Sequence, residues 1–309
     1  MNAPDRSPQA DVQAAERHSR TGFLFGLLAY GLWGVLPLYF KAIAEVPALN
    51  IVAHRILWSL PFLAVLITFA GGWSKVSAAI AQRRTMRVLT LTALLIGGNW
   101  LLYTYAVISG HILAASFGYY LNPLANVLLG RFVLKEQLSR LQWAAVAIAG
   151  AGISVLAAGA LGQLWISLTL CASFALYGLL RKVVTADAVT GLGIETALLF
   201  PIALGWLCWG ALAARPVMGS TGAEAGLLLL AGVVSTTPLL LFTAAARRLQ
   251  YSTLGMLQFL APTLQFLIGV WYGEPFTRAH AVAFAAIWTA LALYVTALLR
   301  APRLPQAPE

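Results

Sequence analysis

Apolar runs of about 20 residues follow one another along the chain from residue 22 to residue 299, separated by short polar segments. Runs of this length match the roughly 20 residues that an α-helix needs to cross a hydrocarbon core. The pattern predicts ten transmembrane helices, at residues 22–40, 50–70, 86–108, 111–132, 141–158, 163–180, 191–213, 225–246, 252–272 and 279–299. We expect the polar residues 1–21 and the Pro-rich residues 300–309 to form disordered cytosolic tails.

The composition agrees with this pattern. Hydrophobic residues make up 60% of the 309-residue chain and charged residues 10%, whereas roughly a quarter of the residues in a soluble domain are charged. The sequence therefore predicts an all-α integral membrane protein with no separate soluble domain. It contains neither a G-x-x-x-x-G-K-[ST] motif nor Cys and His residues at metal-ligand spacing, so we expect no ATP hydrolysis, no metal and no cofactor.

The distribution of Lys and Arg predicts the topology. If the N-terminus is cytosolic, Lys41, Arg215 and Arg278 lie outside, Arg55 lies within a helix, and the other sixteen of the twenty basic residues lie in cytosolic segments. The positive-inside rule then places both termini in the cytosol. The net charge of +10 is scattered over short loops, so no nucleic-acid partner is expected.

The two halves of the chain match each other at a shift of about 140 residues. The matched pairs are Arg55 with Glu195, Pro61 with Pro201, Leu121 with Leu260, Pro123 with Pro262, and Glu136 with Glu274. Each half holds five predicted helices, an odd number, so the second half enters the membrane in the opposite orientation. We predict two inverted five-helix repeats, at residues 22–160 and 161–299, an arrangement typical of secondary transporters. The alternative is chance similarity between apolar segments.

Several segments of the chain resemble a known family. They are LAYGLWGVLPLYFK at residues 28–41, HRILWS at 54–59, IGGNWLLYTYAV at 96–107, SFGYYLNPLANVLLG at 116–130, IETALLFP at 194–201, TTPLLLFTAAARRL at 236–249, STLGMLQFLAPTLQFL at 252–267 and YGE at 272–274. Over nearly its whole length the chain resembles the RarD-type branch of the EamA transporters, in the drug/metabolite transporter superfamily. The resemblance implies a multi-pass permease of the cytoplasmic (inner) membrane, with ten helices in two repeats, that exports small metabolites or drugs.

Two charged residues lie at membrane depth, where a charge costs about 2.5 to 3.5 kcal/mol on insertion scales. Arg55 lies in the second predicted helix and Glu195 in the seventh, about 15 Å apart in depth at 1.5 Å per residue, so we expect no direct salt bridge. Arg55 is a candidate for attracting an anionic group, the alternative being snorkelling to the interface. Glu195 is a candidate cation partner or proton carrier, the alternative being a structural hydrogen bond near a helix start.

Ten further polar or aromatic residues are candidates for the substrate path. They are Trp33, His54, Asn99, Trp100, Tyr119, Tyr120, Asn122, Asn126, Gln258 and Gln265. Pro123 and Pro262 each remove a backbone hydrogen bond within a helix, and such breaks at matching places indicate a binding site. For each amide, the alternative is a hydrogen bond between helices.

Two other classes of function compete with a transporter. A membrane-embedded enzyme needs a carboxylate pair, an activated nucleophile or a metal cluster, and the sequence offers none, so we do not expect an enzyme. A non-transporting receptor or assembly factor is the alternative, and the inverted repeat favours a transporter over it. The expected partners are a small-molecule substrate and the lipid bilayer, with protons as candidate coupling ions and sodium coupling or uniport as alternatives. Small residues at Ala145, Ala149, Gly150 and Ser154 either buttress the cavity or form a homodimer contact.

Overall fold

The computed structural model describes residues 8–108, 112–157, 164–271 and 278–300, which form α-helices and no β-strand. The helices are α1 (Pro8–Ala42), α2 (Ala48–Phe69), α3 (Trp73–Ala81), α4 (Arg83–Ile108), α5 (Ile112–Phe132), α6 (Arg140–Ala157), α7 (Leu164–Val183), α8 (Ala188–Leu212), α9 (Gly222–Ala246), α10 (Tyr251–Leu257), α11 (Leu260–Trp271) and α12 (Arg278–Arg300). The all-α prediction is confirmed for these residues.

Six stretches of the described helices are long and apolar enough to cross a membrane. They are Ser19–Ala42, Ala48–Phe69, Arg83–Ala106, Trp165–Val183, Ala188–Leu212 and Gly222–Ala246. They confirm the prediction of an integral membrane protein with several spans. The predicted repeat boundary, between residues 160 and 161, lies outside the described residues, as do residues 1–7 and 301–309.

Two helical segments were not predicted. Helix α1 begins at Pro8, inside the segment assigned to the N-terminal tail, and residues 9–20 are rich in Ala, Gln, Glu and Arg, which favour a helix. The short helix α3 lies in the connection between the second and third predicted spans.

The predicted ninth span is interrupted. It consists of α10 and α11, separated at Gln258 and Phe259. Pro262 causes a break at this place because it has no N–H, and because its ring clashes with the carbonyl of the residue four positions earlier, Gln258. Pro123 lies at the matching place in α5, which continues as one helix.

The two halves of the chain share one interior, because most helices pack against helices of the other half. Helix α1 contacts α9 and α11, α2 contacts α8 and α9, α4 contacts α7 and α8, α5 contacts α7 and α10, and α6 contacts α12.

The loop after α5 is fastened to the start of α10. Glu136 accepts hydrogen bonds from the backbone amides of Tyr251 (2.5 Å) and Ser252 (2.9 Å) and from the Ser252 hydroxyl (2.6 Å). These amides have no partner within the helix, and a negative charge is favoured at a helix N-terminus. The interaction therefore holds α10 against the end of α5.

Helices α2 and α9 approach each other closely at Gly232. A Cβ atom at this position would lie 2.2 Å from the carbonyl carbon of Trp58. Beside it, Ser59 Oγ donates to the Arg55 carbonyl oxygen (2.5 Å) and accepts from Thr236 Oγ1 (2.7 Å). This contact fixes the rotation of α2 about its axis, and with it the direction of the Arg55 side chain.

We expect Gly232→Ala to lower the free energy of unfolding by about 1 to 3 kcal/mol, since the α2 backbone must move to admit a methyl group. Gly226→Ala, on the same helix, is the matched control, because a Cβ atom there meets no described atom within 4 Å. It should be neutral or stabilise by up to about 1 kcal/mol through helix propensity. Thermal unfolding in detergent compares the two, and equal effects would show that the close approach does not constrain the fold.

Candidate functional site

A cavity of about 170 Å³ lies between the helices, toward the end of the bundle where α1 ends and α2 begins. Its lining comes from α1, α2, α4, α5, α7, α9, α11 and the break between α10 and α11. The lining residues are Tyr30, Trp33, Leu36, Pro37, Phe40, Arg55, Asn99, Trp100, Tyr103, Tyr119, Phe174, Leu239, Gln258, Ala261, Pro262 and Gln265. In the part of the chain that the structure describes, no three His, Cys, Asp or Glu residues are grouped as metal ligands would be.

Seven of the predicted path residues line this cavity. They are Trp33, Arg55, Asn99, Trp100, Tyr119, Gln258 and Gln265. They come from five different segments of the chain, so the folded bundle brings together residues up to 232 positions apart.

Arg55 is half-buried in the cavity wall and is held on two sides. Its Nε donates a hydrogen bond to Ser235 Oγ of α9 at 2.7 Å. Its guanidinium carbon lies 4.7 Å from the ring centre of Trp100 and 5.9 Å from that of Phe40, within the range of cation–π attraction. The guanidinium plane is therefore fixed by α9 and by Trp100 of α4.

Asn99 forms hydrogen bonds between helices at the cavity wall. Its Nδ2 donates to the Leu170 carbonyl oxygen and to Ser173 Oγ, each at 2.9 Å, and its Oδ1 accepts from the Tyr119 hydroxyl at 3.3 Å. Asn99 thus joins α4 to α7 and positions Tyr119 of α5. All three contacts are hydrogen bonds between helices, as the alternative to a substrate contact predicts for this amide.

The two glutamines of the ninth predicted span lie on the cavity at the helix break and just beyond it. Gln258 Oε1 accepts a hydrogen bond from Asn126 Nδ2 at 2.8 Å, which leaves the Nε2 end of this amide as its donor. Gln265 Nε2 donates to the Trp33 carbonyl oxygen at 3.0 Å, which leaves Oε1 as its acceptor. Each amide is therefore held at one end, and its other end has no hydrogen-bond partner among the residues that the structure describes.

Four predicted path residues lie in packing contacts and are absent from the cavity lining. His54 Nε2 contacts the Val217 carbonyl oxygen at 2.9 Å, and its Nδ1 accepts from the indole of Trp58 at 3.2 Å. Tyr120 packs against Phe284 of α12, with the ring centres 6.1 Å apart. The other two are Asn122 and Asn126, both fully buried.

Glu195 lies in the opposite half of the bundle, buried to 1% exposure. Its Oε1 is 3.6 Å from the Nε of Arg181, which is itself fully buried. Thr92 Oγ1 donates to Oε1 at 2.5 Å, and the Tyr177 hydroxyl donates to Oε2 at 3.4 Å. Glu195 therefore pairs with a basic residue of α7 and not with Arg55.

Basic side chains close this half of the bundle by donating to carbonyl oxygens at helix ends. Lys182 Nζ donates to Ala246 at 2.8 Å and to Leu249. Arg247 Nη1 donates to Val184 at 2.8 Å and to Ala186. Burial and the neighbouring charge of Arg181 lower the pKa of the Arg247 guanidinium. The α7–α8 connection is thus tied to the end of α9.

Several functional residues were missed in the sequence. Arg181 reads as part of the basic flank of α7, next to Lys182, although it is fully buried. Tyr30 and Phe40 join Trp33 in the cavity wall, and their spacing of three and seven residues from Trp33 places all three on one face of α1. That spacing was a usable signal, but it is also the spacing of ordinary helix packing.

Comparison with known proteins agrees with this architecture. Residues 20–158 match the model of the EamA-like transporter family. The chain is 45% identical over 283 residues to an uncharacterized transporter of Vibrio cholerae (serotype O1), covering 90% of this chain and 93% of that protein. It is 44% identical over 288 residues to Protein RarD of Escherichia coli (strain K12), covering 90% of this chain and 95% of that protein. A crystal structure with 21% sequence identity has the same fold, with a TM-score of 0.70 over 93% of this chain and 100% of that chain.

The two buried asparagines of α5 give a matched test of their roles. Neither amide atom of Asn122 has a hydrogen-bond partner among the described residues, whereas Asn126 donates to Gln258. We expect Asn122→Leu to leave thermal stability in detergent unchanged or higher, because an unpaired buried amide is removed. Asn126→Leu should cost about 1 to 3 kcal/mol, because Gln258 Oε1 loses its donor. Equal losses from both variants would contradict this difference.

Proposed function

Since the chain belongs to the RarD-type branch of the EamA-like transporter family, in the drug/metabolite transporter superfamily, we propose that it exports small molecules as a secondary transporter that works by alternating access. The observation that carries this proposal is the cavity, whose wall combines helices of both halves of the chain with a broken helix. Broken helices at a repeat interface are where secondary transporters hold their substrates.

The helix contacts support two inverted five-helix repeats. Under that arrangement α1 corresponds to α7, α2 to α8, α4 to α9, α5 to α10 with α11, and α6 to α12. Exchanging the halves converts the contact of α1 with α9 into that of α7 with α4, and the contact of α2 with α9 into that of α8 with α4. The contacts of α2 with α8, α5 with α10, and α6 with α12 convert into themselves. All of these contacts are present, as a two-fold relation requires.

With both termini in the cytosol, the cavity lies in the outer half of the bundle and the Arg181–Glu195 pair in the cytosolic half. We infer that this arrangement is the outward-facing one, in which the cytosolic side is closed. Export then requires the cytosolic side of the bundle to open, and we propose that this motion breaks the contact between Arg181 and Glu195.

Protons are the coupling ions that we propose, with Glu195 as their carrier. The titratable or charged groups around it are Arg181 and Tyr177 of α7, with Arg247 close to Arg181. Helix α4 places the Thr92 hydroxyl against the Glu195 carboxylate. Ile67 of α2 is apolar and lies against Gly193, two residues before Glu195 in α8. Protonation of Glu195 removes its negative charge, and the attraction that holds α8 to Arg181 is lost with it. Tyr177 lies one turn along α7 from the cavity residue Phe174 and so connects the pair to the cavity.

Transport itself is tested by flux in proteoliposomes. We expect the purified protein to move at least one component of a pool of small metabolites, faster with a pH gradient than without one. Empty liposomes and liposomes carrying Gly232→Ala protein provide the controls for leakage and for a distorted bundle. If no component of the pool moved, the receptor or assembly-factor alternative would replace the transporter.

Proton coupling is tested with Glu195→Gln, which keeps the shape of the side chain and removes its charge. We expect this variant to retain flux along a substrate gradient and to lose the response to a pH gradient. Glu45→Gln, in the exposed connection between α1 and α2, should behave as the parent protein. Because removing one partner of a buried pair costs about 3 to 5 kcal/mol, the double variant Arg181→Gln/Glu195→Gln is measured as well. An unchanged pH response in a folded variant would exclude Glu195 as the proton carrier.

A further inference from the structure

The described lining of the cavity carries a single charge, and that charge is positive. Among its sixteen lining residues, Arg55 is the one that is ionised at neutral pH, and no Asp or Glu is present. Within the described residues the ion pairs are Lys75 with Asp187 and Arg181 with Glu195, so Arg55 has no acidic partner there. A charge removed from bulk water without a counter-charge is costly. The cavity is therefore electrostatically incomplete until an anion enters it.

The Arg55 guanidinium is prepared for one such anion. Its Nε is already bonded to Ser235, and its plane is held against Trp100. Neither Nη atom donates to any other residue that the structure describes, so two neighbouring donors remain. A guanidinium presents such donors in a rigid fork that matches the two oxygens of a carboxylate. The fixed plane lowers the entropy that binding would otherwise cost.

The rest of the wall suits a flat apolar group. Seven of the sixteen lining residues are aromatic. The ring centre of Trp33 lies 5.7 Å from that of Tyr30 and 5.8 Å from that of Phe174, so these rings form one continuous surface. Rings at such distances attract further rings in offset or edge-to-face geometry. The cavity volume of about 170 Å³ is below the roughly 300 to 1,000 Å³ of sites for drug-sized ligands.

Building on the transport function proposed above, we propose that the substrates are small aromatic monocarboxylates, bound with the carboxylate on the Arg55 fork and the ring on the surface of Trp33, Tyr30 and Phe174. The Gln258 Nε2 donor and the Gln265 Oε1 acceptor serve polar substituents of the ring. Amines are disfavoured, because an ammonium group would meet the Arg55 charge and find no carboxylate in the lining. Amino acids bind less well than the matching acids for the same reason.

Binding to the detergent-solubilised full chain tests this substrate class separately from transport. The probes are phenylacetate, phenylacetamide, 2-phenylethylamine, phenylglycine and cyclohexylacetate, which are similar in size and differ in charge or flatness. Quenching of tryptophan fluorescence, to which Trp33 and Trp100 contribute, gives the Kd. A shift in thermal unfolding temperature gives an independent readout. We expect phenylacetate to bind at least about tenfold more tightly than each of the other four, as a charge-assisted bidentate contact implies.

Variants assign the effect to Arg55. Arg55→Gln should abolish the preference for phenylacetate over phenylacetamide, and Arg55→Lys should keep part of it, because the charge remains and the fork is lost. Arg215→Gln is the matched control, since Arg215 also lies over a tryptophan ring, 4.5 Å from the centre of Trp209, but is exposed and outside the cavity. It should bind phenylacetate as the parent protein does.

Several results would overturn the substrate class. These are equal binding of phenylacetamide or 2-phenylethylamine, no binding of phenylacetate, and an unchanged preference in Arg55→Gln protein that unfolds at the parent temperature. None of these results would contradict the transport proposal, because that proposal is tested by the flux of the metabolite pool. A protein that moves other components of the pool while ignoring phenylacetate would retain its function and lose this substrate class.

Discussion

A polar group inside a hydrocarbon layer can be satisfied only by the protein or by something that the protein holds, because water is absent there. Nearly every polar contact in this bundle follows from that constraint. Lys182 donates to carbonyl oxygens at the end of α9, and Arg247 donates to carbonyl oxygens just after the end of α7; carbonyl groups at the C-terminal end of a helix have no partner within the helix. Glu136 does the same for the free amides at the start of α10. One half of the bundle is closed in this way by its own side chains.

In the other half, the charge of Arg55 has no counter-charge among the residues that the structure describes. Arg55 contacts a hydroxyl and two aromatic rings, which hold the guanidinium without neutralising it. The two halves therefore differ in whether the charged side chain has an opposite charge beside it. Glu195 is neutralised by Arg181 in the closed half, whereas Arg55 faces a cavity. Of these two charges, the one without a described counter-charge is therefore the one that a ligand in the cavity can reach.

The sequence predicted the six membrane-length apolar helices well, because the thickness of the bilayer determines their length and a run of apolar residues reports that length directly. It also identified Arg55, since a charge at membrane depth is costly unless it has a function or a partner, and Trp100, which neighbours Asn99 in the third predicted span. The sequence did not distinguish Gln258, which lines the cavity, from Asn122, which lies in the packed interior. That distinction depends on how each helix is rotated against its neighbours, which contacts such as that of Gly232 with Trp58 determine only in the folded chain. Arg181 was missed because a buried arginine beside a lysine looks the same in sequence as a cytosolic flank.

The interruption at Gln258 has a mechanical consequence. Because Glu136 fastens α10 to the end of α5 while α11 bears on Trp33 of α1 through Gln265, the two short helices belong to different parts of the bundle. We infer that the two residues between them act as a hinge. Bending there changes the width of the cavity on the α11 side without loosening the fastened side. Tilting the part of α11 beyond Pro262, about two and a half turns of helix, would then narrow the cavity over a bound molecule while α10 keeps its packing against α5.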